Sequence, residues 1–350
     1  MESTHQHIRN KRTFFLGAGF SAEAGIPLTN SLLSLTMQRF QNDCPGIFER
    51  INNYARIFTD RDIIDYNKVN FPELCTFLEF IELREYGGGE RWSDSGSREK
   101  LALKYYLADT IAAHSPEMDS IPDLYLRFAE QLQPGDFVIT FNWDCLLEAA
   151  LMRVGKTYNY NNEAAIADNE DVFIAKLHGS INWRLGPPSI LGNPANTLNW
   201  QKLHTPEGMR AVDLFHTARL LKYEHWFQNR LFSEVEPFLV LPGYGKAFDV
   251  RFNADLWYKP DWALALSHDV YIVGLSLAPD DFFIRSFFLD CLPSLHSYSK
   301  IPDRKLFIIN PDSKCIQNYD FVLSKGVAEF IQEPFQAKHV GLMESRLLNS

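Results

Sequence analysis

Short apolar runs bounded by turn residues recur along this chain, and stretches with helical patterning separate them. Six of the runs predict buried β-strands: Thr13–Leu16, Asp136–Phe141, Val172–Leu177, Pro237–Leu241, Val270–Leu275 and Lys305–Ile309. Near-continuous apolar runs of this length are typical of parallel strands that are covered on both faces. Helical patterning follows several of them, for example over Trp143–Val154 and Pro279–Cys291. We therefore expect an α/β fold with right-handed crossovers and a doubly wound parallel sheet.

Two stretches break the alternation of strand and helix. Residues 31–130 are mostly helical in pattern, with a soft break at Gly87-Gly88-Gly89. Residues 184–235 combine a loop with a helical segment rich in aromatic side chains, Phe215, Tyr223, Trp226 and Phe227. We expect both stretches to be insertions that form a helical cap beside the sheet. The chain is then one domain over residues 1–350, with a Rossmann-like core at about 10–30, 131–183 and 236–335.

The acidic composition limits the classes of partner. The 350 residues include 34 Lys and Arg against 44 Asp and Glu, a formal net charge of −10, with the two signs interspersed. Because an acidic surface does not attract phosphate backbones, we expect no direct nucleic-acid binding. No apolar run is long enough to span a bilayer, so we expect no membrane insertion.

The cysteines are scattered through the chain. There are five of them, Cys44, Cys75, Cys145, Cys291 and Cys315. No two lie within four residues of each other, so the chain lacks the CxxC pairs of a zinc module, and we expect no metal. An odd number of scattered thiols suits a reducing compartment, which predicts a cytoplasmic protein.

A glycine-rich loop follows the first predicted strand at once. It reads Gly17-Ala18-Gly19-Phe20-Ser21 and continues to Gly25-Ile26-Pro27. Glycines at this position let the backbone approach a diphosphate, and a following helix N-terminus would add amide donors. Alternatively, the glycines are needed only because a tight turn leaves no room for side chains. The spacing also departs from GxGxxG.

Polar side chains follow three other predicted strands, where open α/β sheets bind their ligands. Asn142 and Asp144 follow the second strand, and the amide of Asn142 can bind a ribose hydroxyl or position a nucleophile. Alternatively, Asn142 and Asp144 cap the helix that comes next. His178 ends the strand Val172–Leu177, and its near-neutral pKa suits a general base.

These segments, in this order, resemble the motifs of the sirtuin (silent information regulator) family. The matching segments are Gly17-Ala18-Gly19-Phe20-Ser21 with Gly25-Ile26-Pro27, Thr140-Phe141-Asn142-Trp143-Asp144, Lys176-Leu177-His178-Gly179-Ser180, Val273-Gly274-Leu275-Ser276-Leu277 and Ile308-Ile309-Asn310. The resemblance implies that NAD is bound as a substrate and that His178 and Asn142 are catalytic. It also implies an NAD-binding set, which comprises Gly17, Ala18, Gly19, Ser21, Ile26, Pro27, Asn142, Asp144, Gly274, Ser276 and Asn310. Asp144 would receive the nicotinamide carboxamide.

The sequence differs from the sirtuin deacylases in two elements through which those enzymes control their substrate. Leu28-Thr29-Asn30 stands where those enzymes usually carry Asp-Phe-Arg, and their four-cysteine zinc module is missing. The pattern is closer to sirtuin-like bacterial defence proteins that hydrolyse NAD during phage infection. Their late Gly-x-Ser-Leu-x-x-x-Asp motif corresponds here to Gly274–Asp281.

The sequence therefore predicts an NAD glycohydrolase that depletes NAD in antiphage defence. Two alternatives stay open: an NAD-dependent protein deacylase or ADP-ribosyltransferase, and a non-catalytic sensor of NAD or ADP-ribose. Because unregulated NAD hydrolysis would harm the host, the family resemblance also implies a homo-oligomer or a separately encoded sensor, such as a HerA-type ATPase.

Two charged segments have no assigned role. Asp280-Asp281 precedes a predicted helix, where adjacent carboxylates usually cap the N-terminus. Lys246 follows Pro242-Gly243-Tyr244-Gly245 and is a candidate for a phosphate or substrate contact. A solvated loop lysine is the plainer interpretation of Lys246.

Overall fold

The computed structural model describes most of the sheet and of the first helical stretch. The described residues are 12–59, 64–85, 98–160, 171–185, 209–211, 237–246, 256–257, 260, 263–264, 267–279, 281–297, 304–323 and 327–349. The predicted break at Gly87–Gly89, the four aromatic residues of the second insertion, and Asp280 lie outside them.

A seven-stranded parallel sheet forms the centre of the molecule, as the sequence predicts. Its strands are β1 (Arg12–Leu16), β2 (Phe137–Thr140), β3 (Tyr158–Asn159), β4 (Val172–Lys176), β8 (Asp269–Val273), β9 (Lys305–Ile309) and β10 (Ala328–Ile331). Their order in the sheet is β10-β9-β8-β1-β2-β4-β3. The chain therefore builds outward from β1 on one side and returns to the other side of β1 with β8. Such a reversal creates a crevice at the carboxyl ends of the strands.

The three other strands among the described residues form a separate antiparallel sheet in the order β6-β5-β7. They are β5 (Gly179–Leu185), β6 (Met209–Ala211) and β7 (Pro237–Leu239). The prediction of a buried strand at Pro237–Leu241 was right about the strand and wrong about its sheet. The strand β7 is fully buried, and that burial gives it the same apolar pattern as a parallel central strand.

The helical pattern of the first stretch is confirmed, and its described residues include five α-helices. They are α1 (Thr29–Asp43), α2 (Pro45–Thr59), α3 (Phe71–Glu85), α4 (Arg98–His114) and α5 (Asp123–Gln131). In the part of the chain that the structure describes, four more α-helices accompany the later strands, α6 (Leu146–Arg153), α7 (Phe282–Ser297), α8 (Cys315–Tyr319) and α9 (Ala337–Asn349). Within the described part of the chain, no helix has the length and apolar character needed to cross a membrane.

Aromatic side chains cover both faces of the central strands. On one face Phe14 stacks on Tyr271 at 5.2 Å, and Tyr271 stacks on Phe307 at 5.2 Å, so one aromatic row crosses β1, β8 and β9. The next residue of β1, Phe15, points to the opposite face, where it packs 5.1 Å from Phe288 of α7. Helices therefore cover both faces, which explains why the strands are apolar without alternation.

Candidate active site

Four strand ends meet around one cavity at the crevice beside β1. The cavity has a volume of about 570 Å³, within the range of small-molecule sites. Ten of the residues predicted to bind or react line it: Gly17, Ala18, Ser21, Ile26, Pro27, Asn142, Asp144, His178, Gly274 and Ser276. They come from four separate parts of the sequence, and the parallel sheet brings them together.

The glycine loop packs directly against the loop that follows β8. The N–H of Gly17 donates to Val273 O and that of Gly19 donates to Gly274 O, both at 2.9 Å. A Cβ atom on Gly17 would lie 2.6 Å from Gly274 O, and Gly274 itself has φ +64°. The steric interpretation of the glycines therefore holds, and it coexists with the position of Gly17 and Ala18 in the cavity wall.

The prediction that a helix N-terminus directly follows this loop is wrong. Two short 3₁₀ turns, Ala18–Phe20 and Ala22–Ala24, follow β1, and the first α-helix begins only at Thr29. Gly25 has φ +82° and ends the second turn. The short turns allow Ile26 and Pro27 to reach the cavity, whereas a regular helix would carry the chain away from it.

Ser21, Asn142 and Asp144 form a hydrogen-bonded group at the base of the cavity. The hydroxyl of Ser21 donates to Asp144 Oδ2 at 2.9 Å. The side-chain nitrogen of Asn142 donates to Gly17 O at 2.9 Å and to Ser21 Oγ at 3.2 Å. These bonds orient the amide so that its Oδ1 is left for a ligand.

Asp144 is not the N-cap that the alternative interpretation predicts, because the N-cap of the following helix is Cys145. The side chain of Asp144 does accept a bond from the first residue of that helix. The N–H of Leu146 donates to Asp144 Oδ1 at 3.0 Å. Burial raises the pKa of the Asp144 carboxyl, while the nearby Lys176 and the bond from Leu146 oppose that rise. Asp144 therefore bonds to the first turn of the helix and also lines the cavity.

A buried ion pair contacts the backbone of Asp144. Lys176 Nζ lies 2.8 Å from Glu148 Oε1 and also donates to the backbone oxygen of Asp144. Both charged side chains are essentially inaccessible to solvent, and the hydroxyl of Tyr160 donates to the same Glu148 oxygen at 2.9 Å. The pair therefore connects the end of β4 to α6, and removing one partner would leave an uncompensated buried charge.

His178 lines the cavity with a largely buried ring. Within the described structure its Nε2 is buried and has no hydrogen-bond partner. The carbonyl of Phe141 accepts a hydrogen bond from the ring, which by elimination comes from Nδ1. Burial, and secondarily the cation of Lys246, lowers the pKa of His178 to about 3. The near-neutral pKa expected for His178 is therefore wrong, and burial is the main reason. The imidazole is uncharged at neutral pH, so Nε2 carries a lone pair.

Lys246 is buried and paired, so the interpretation as a solvated lysine is wrong. Its Nζ lies 2.7 Å from Asp281 Oδ2, and both residues line the cavity. Asp281 also caps α7, because its Oδ1 accepts the N–H of Ile284 at 3.1 Å. The capping prediction for Asp281 is thus confirmed, and the ion pair adds a second contact.

Gly19 and Asn310 do not line the cavity. Gly19 packs against Gly274, and the side chain of Asn310 donates to Leu275 O at 3.1 Å. Both shape the loop after β8 rather than the cavity surface. Conversely, residues 66–72 and Leu32, Leu33 and Ile111 of the helical stretch do line the cavity, and no sequence motif pointed to them. Among the described residues, no cluster of His, Cys, Asp and Glu could hold a metal ion.

Comparisons with known proteins agree with this arrangement. A family model for a SIR2-like domain matches residues 136–245, less than a third of the chain, and this range includes Asn142, Asp144 and His178. This part of the chain is therefore similar to a SIR2-like domain. The parallel sheet described above is Rossmann-like. No curated protein sequence matches the chain.

Solved structures of Sir2 proteins are similar to this chain at low sequence identity. A Sir2 complex with a p53 peptide and NAD⁺ is 14% identical, with 100% of this chain and 99% of that chain covered and a TM-score of 0.43. A structure described as a basis for the mechanism and regulation of Sir2 enzymes is 12% identical, with 99% and 96% covered and a TM-score of 0.46. A Sir2 homologue in complex with NAD is 14% identical, with 100% and 94% covered and a TM-score of 0.38.

Proposed function

We propose that the protein is an NAD glycohydrolase, which converts NAD⁺ and water into nicotinamide, ADP-ribose and a proton. The observation that carries this proposal is that Asn142, Asp144 and His178 line one cavity together with Gly17 and Ala18 of the glycine loop. A SIR2-like domain match over the segment that holds these three residues supports the choice of NAD as substrate.

In this proposal Asn142 positions the attacking water. Its amide hydrogens are used by Gly17 and Ser21, so Oδ1 accepts a hydrogen bond from the water. The bond between the ribose C1′ and the nicotinamide nitrogen breaks, and its electron pair neutralises the pyridinium ring. The water oxygen bonds to C1′, and the proton that it loses passes to Nε2 of His178.

Asp144 holds the leaving group in the same scheme. Its carboxyl lies at the cavity base, fixed by Ser21 Oγ at 2.9 Å and by the N–H of Leu146 at 3.0 Å. A carboxyl held in this way can accept a hydrogen bond from the nicotinamide carboxamide. The bond gains strength because the surroundings are buried.

The biological role belongs to the same proposal. The sequence resemblance to bacterial defence proteins supports an effector that depletes NAD when activated, acting as a homo-oligomer or with a separately encoded HerA-type ATPase. Light scattering of the purified chain tests the oligomer. A phage challenge of cells that carry the wild type or His178→Ala tests the defence role.

Product analysis by chromatography tests the reaction itself. We expect wild-type protein to release nicotinamide and ADP-ribose in equal amounts. His178→Ala and Asn142→Ala should each lower the rate by about 100-fold or more. His114→Ala is the matched control, because His114 lies outside the cavity wall and binds Thr110 O instead.

Other outcomes would select the alternatives. Tight NAD binding without any product would identify a sensor, and nicotinamide release that requires an acylated peptide would identify a deacylase. Equal rates for wild type and His178→Ala would reject the proposed chemistry.

A further inference from the structure

Trp143 lies between two residues of the proposed site and has no part in the chemistry given above. Its side chain is half-buried and lines the same cavity. The side chains of Asn142 and Asp144 bind Ser21 of the glycine loop, whereas that of Trp143 binds the segment that carries His178. The loop after β2 therefore joins the glycine loop to the segment of His178, and Trp143 contributes to the second of these connections.

The indole and the backbone of Trp143 both bind the chain where it passes from β4 into β5. The indole Nε1–H donates to His178 O at 3.0 Å. The backbone oxygen of Trp143 accepts the N–H of Ile181 at 2.9 Å and the hydroxyl of Ser180 at 3.4 Å. A change confined to the side chain of Trp143 therefore removes the bond to His178 and keeps the backbone bond to Ile181.

The carbonyl of His178 is also bound from the side of the second sheet. The N–H of Val240 donates to His178 O at 2.9 Å, so Val240 and the indole together use both lone pairs of that oxygen. The next residue, Gly179, has φ +78°, and a Cβ atom there would lie 2.1 Å from Phe238 O. The peptide that follows His178 is therefore held between the β7 segment and Trp143.

The imidazole ring of His178 has its own contact with the loop after β2. The ring of Phe141 meets it edge to face, with 5.4 Å between the ring centroids. This ring contact and the bonds to the backbone of His178 together place the imidazole in the cavity wall. A catalytic group that is displaced by about 1 Å can lose about 100-fold in rate, so one bond at this position is enough to affect the reaction.

We propose that Trp143 is a positioning residue, whose indole N–H fixes the backbone of His178 and thereby places its imidazole relative to Asn142. The inference rests on the proposed function only in assigning His178 as the base and Asn142 as the group that positions the water. The N–H carries the effect, since an aromatic side chain of the same shape without it makes the same packing contacts.

The sharpest test removes the indole N–H and keeps the shape of the side chain. In Trp143→benzothienylalanine a sulfur atom replaces that N–H, so the bond to His178 O is lost while the aromatic surface stays. The matched control is Trp257→benzothienylalanine. Trp257 lies outside the cavity wall, with its ring 6.1 Å from that of His178, and its Nε1 has no hydrogen-bond partner within the described structure. The control therefore makes the same chemical change near the same histidine without the loss of a hydrogen bond.

NMR of protein with labelled histidine rings reports the placement of His178, with His178→Gln to assign its signal. We expect Trp143→benzothienylalanine to move the His178 signal and Trp257→benzothienylalanine to leave it in place. Trp143→fluorotryptophan keeps the N–H and should keep the wild-type signal. An unmoved His178 signal in the folded Trp143→benzothienylalanine variant would overturn the proposal, and so would equal shifts in the two benzothienylalanine variants.

Steady-state kinetics with NAD supply a second readout. Loss of the N–H at Trp143 should lower kcat by about 10-fold to 100-fold and change KM by less than about twofold, because a displaced base slows the reaction while the binding surface is retained. The fluorotryptophan variant should restore kcat, and the Trp257 variant should match the wild type. A purely structural role of Trp143 predicts less folded protein with an unchanged kcat per folded molecule, and that result would reject the proposal.

Deuterium exchange of the Trp143 indole in the wild type requires no variant. An indole N–H that is bound to His178 O should exchange at least about 10-fold more slowly than that of free tryptophan. A rate equal to that of free tryptophan would overturn the proposal, and this measurement decides the matter if no variant at Trp143 folds.

Neither the NMR signal nor the exchange rate depends on NAD, so the two proposals can fail separately. Wild-type protein that leaves NAD intact rejects the glycohydrolase. A His178 signal that moves only when the Trp143 N–H is removed would still establish that Trp143 positions His178.

Discussion

The side-chain nitrogen of Asn142 donates a 2.9 Å hydrogen bond to the carbonyl oxygen of Gly17 and so joins the loops after β2 and β1. The same nitrogen donates to Ser21 Oγ at 3.2 Å, which uses both amide hydrogens within the protein. The amide can therefore present only Oδ1 to a ligand. Its orientation depends on Ser21 as much as on Asn142 itself.

Ser21→Ala should impair catalysis without unfolding the protein. The substitution removes a hydrogen bond to Asp144 and an acceptor for Asn142, so both side chains lose their fixed orientation. We expect kcat/KM for NAD to fall by about 10-fold to 100-fold, which corresponds to the loss of one or two hydrogen bonds near the reacting atoms. Ser345→Ala, in an exposed part of α9, should retain wild-type kinetics, and equal losses in both variants would contradict the prediction.

Gly274→Ala should be severely destabilising. Gly274 has φ +64°, and a Cβ atom there would overlap the backbone of Gly19 and Phe20. We expect a loss of more than about 3 kcal/mol in the free energy of unfolding, measured by urea denaturation. Gly46→Ala is the contrast, since open space surrounds that position within α2. It should leave the free energy of unfolding unchanged or raise it by about 0.4–1 kcal/mol.

Asp136→Ala should destabilise the fold. Asp136 lies at the end of the sheet opposite the cavity. Asp136 and Arg12 form an ion pair with side chains 1% and 2% exposed, and Arg12 also donates to Gln131 Oε1 at 2.9 Å. Leaving the buried guanidinium without its carboxylate should cost about 3–5 kcal/mol. Asp109→Ala breaks a more exposed pair with Arg39 and should cost less than about 1 kcal/mol. Comparable losses in the two variants would show that burial does not control this interaction.

His178 should make folding stability depend on pH in acid. Its pKa falls from an ordinary value of 6.5 to about 3 in the folded protein, mainly through burial. Between these values the unfolded chain binds a proton at this residue and the folded protein does not, so its contribution to stability is present above 6.5 and is lost as pH falls. His178→Gln should therefore reduce the slope of unfolding free energy against pH between about pH 6.5 and pH 4. An identical slope in wild type and variant would show that the ring is protonated in the folded state.

Local sequence patterns were a reliable guide to the central sheet. The run Lys305–Ile309 coincides with β9, and Val172–Leu177 extends β4 by one residue, because both strands are buried on each face and leave an unbroken apolar signal. The same signal was misleading for Pro237–Leu241, since burial makes an antiparallel strand of a second sheet equally apolar. The edge strand β10, which is only partly buried, carries no such pattern and was not predicted.

Local patterns predicted some residues of the candidate site and missed others. Asn142, Asp144 and His178 follow strand signals directly, so the rule that parallel strands end at one edge of a sheet was sufficient to group them. The burial of Lys246 was not predictable, because its loop is seated by Glu79, which lies far away in the sequence and on another element. Residues 66–72 of the insertion also line the cavity. Their position depends on packing between segments that are distant in the sequence, so no local motif predicted it.

The sequence by itself determined the parallel α/β core, the polar residues at its strand ends and the resemblance that makes NAD the expected substrate. Periodicity, burial preference and short motifs are local properties, and they can be recognised without knowledge of distant contacts. Only the tertiary structure decided which helices line the cavity, how the amide of Asn142 is oriented and that Lys246 is buried in an ion pair with Asp281. Those features depend on packing between segments far apart in the chain, and a local sequence pattern does not encode that packing.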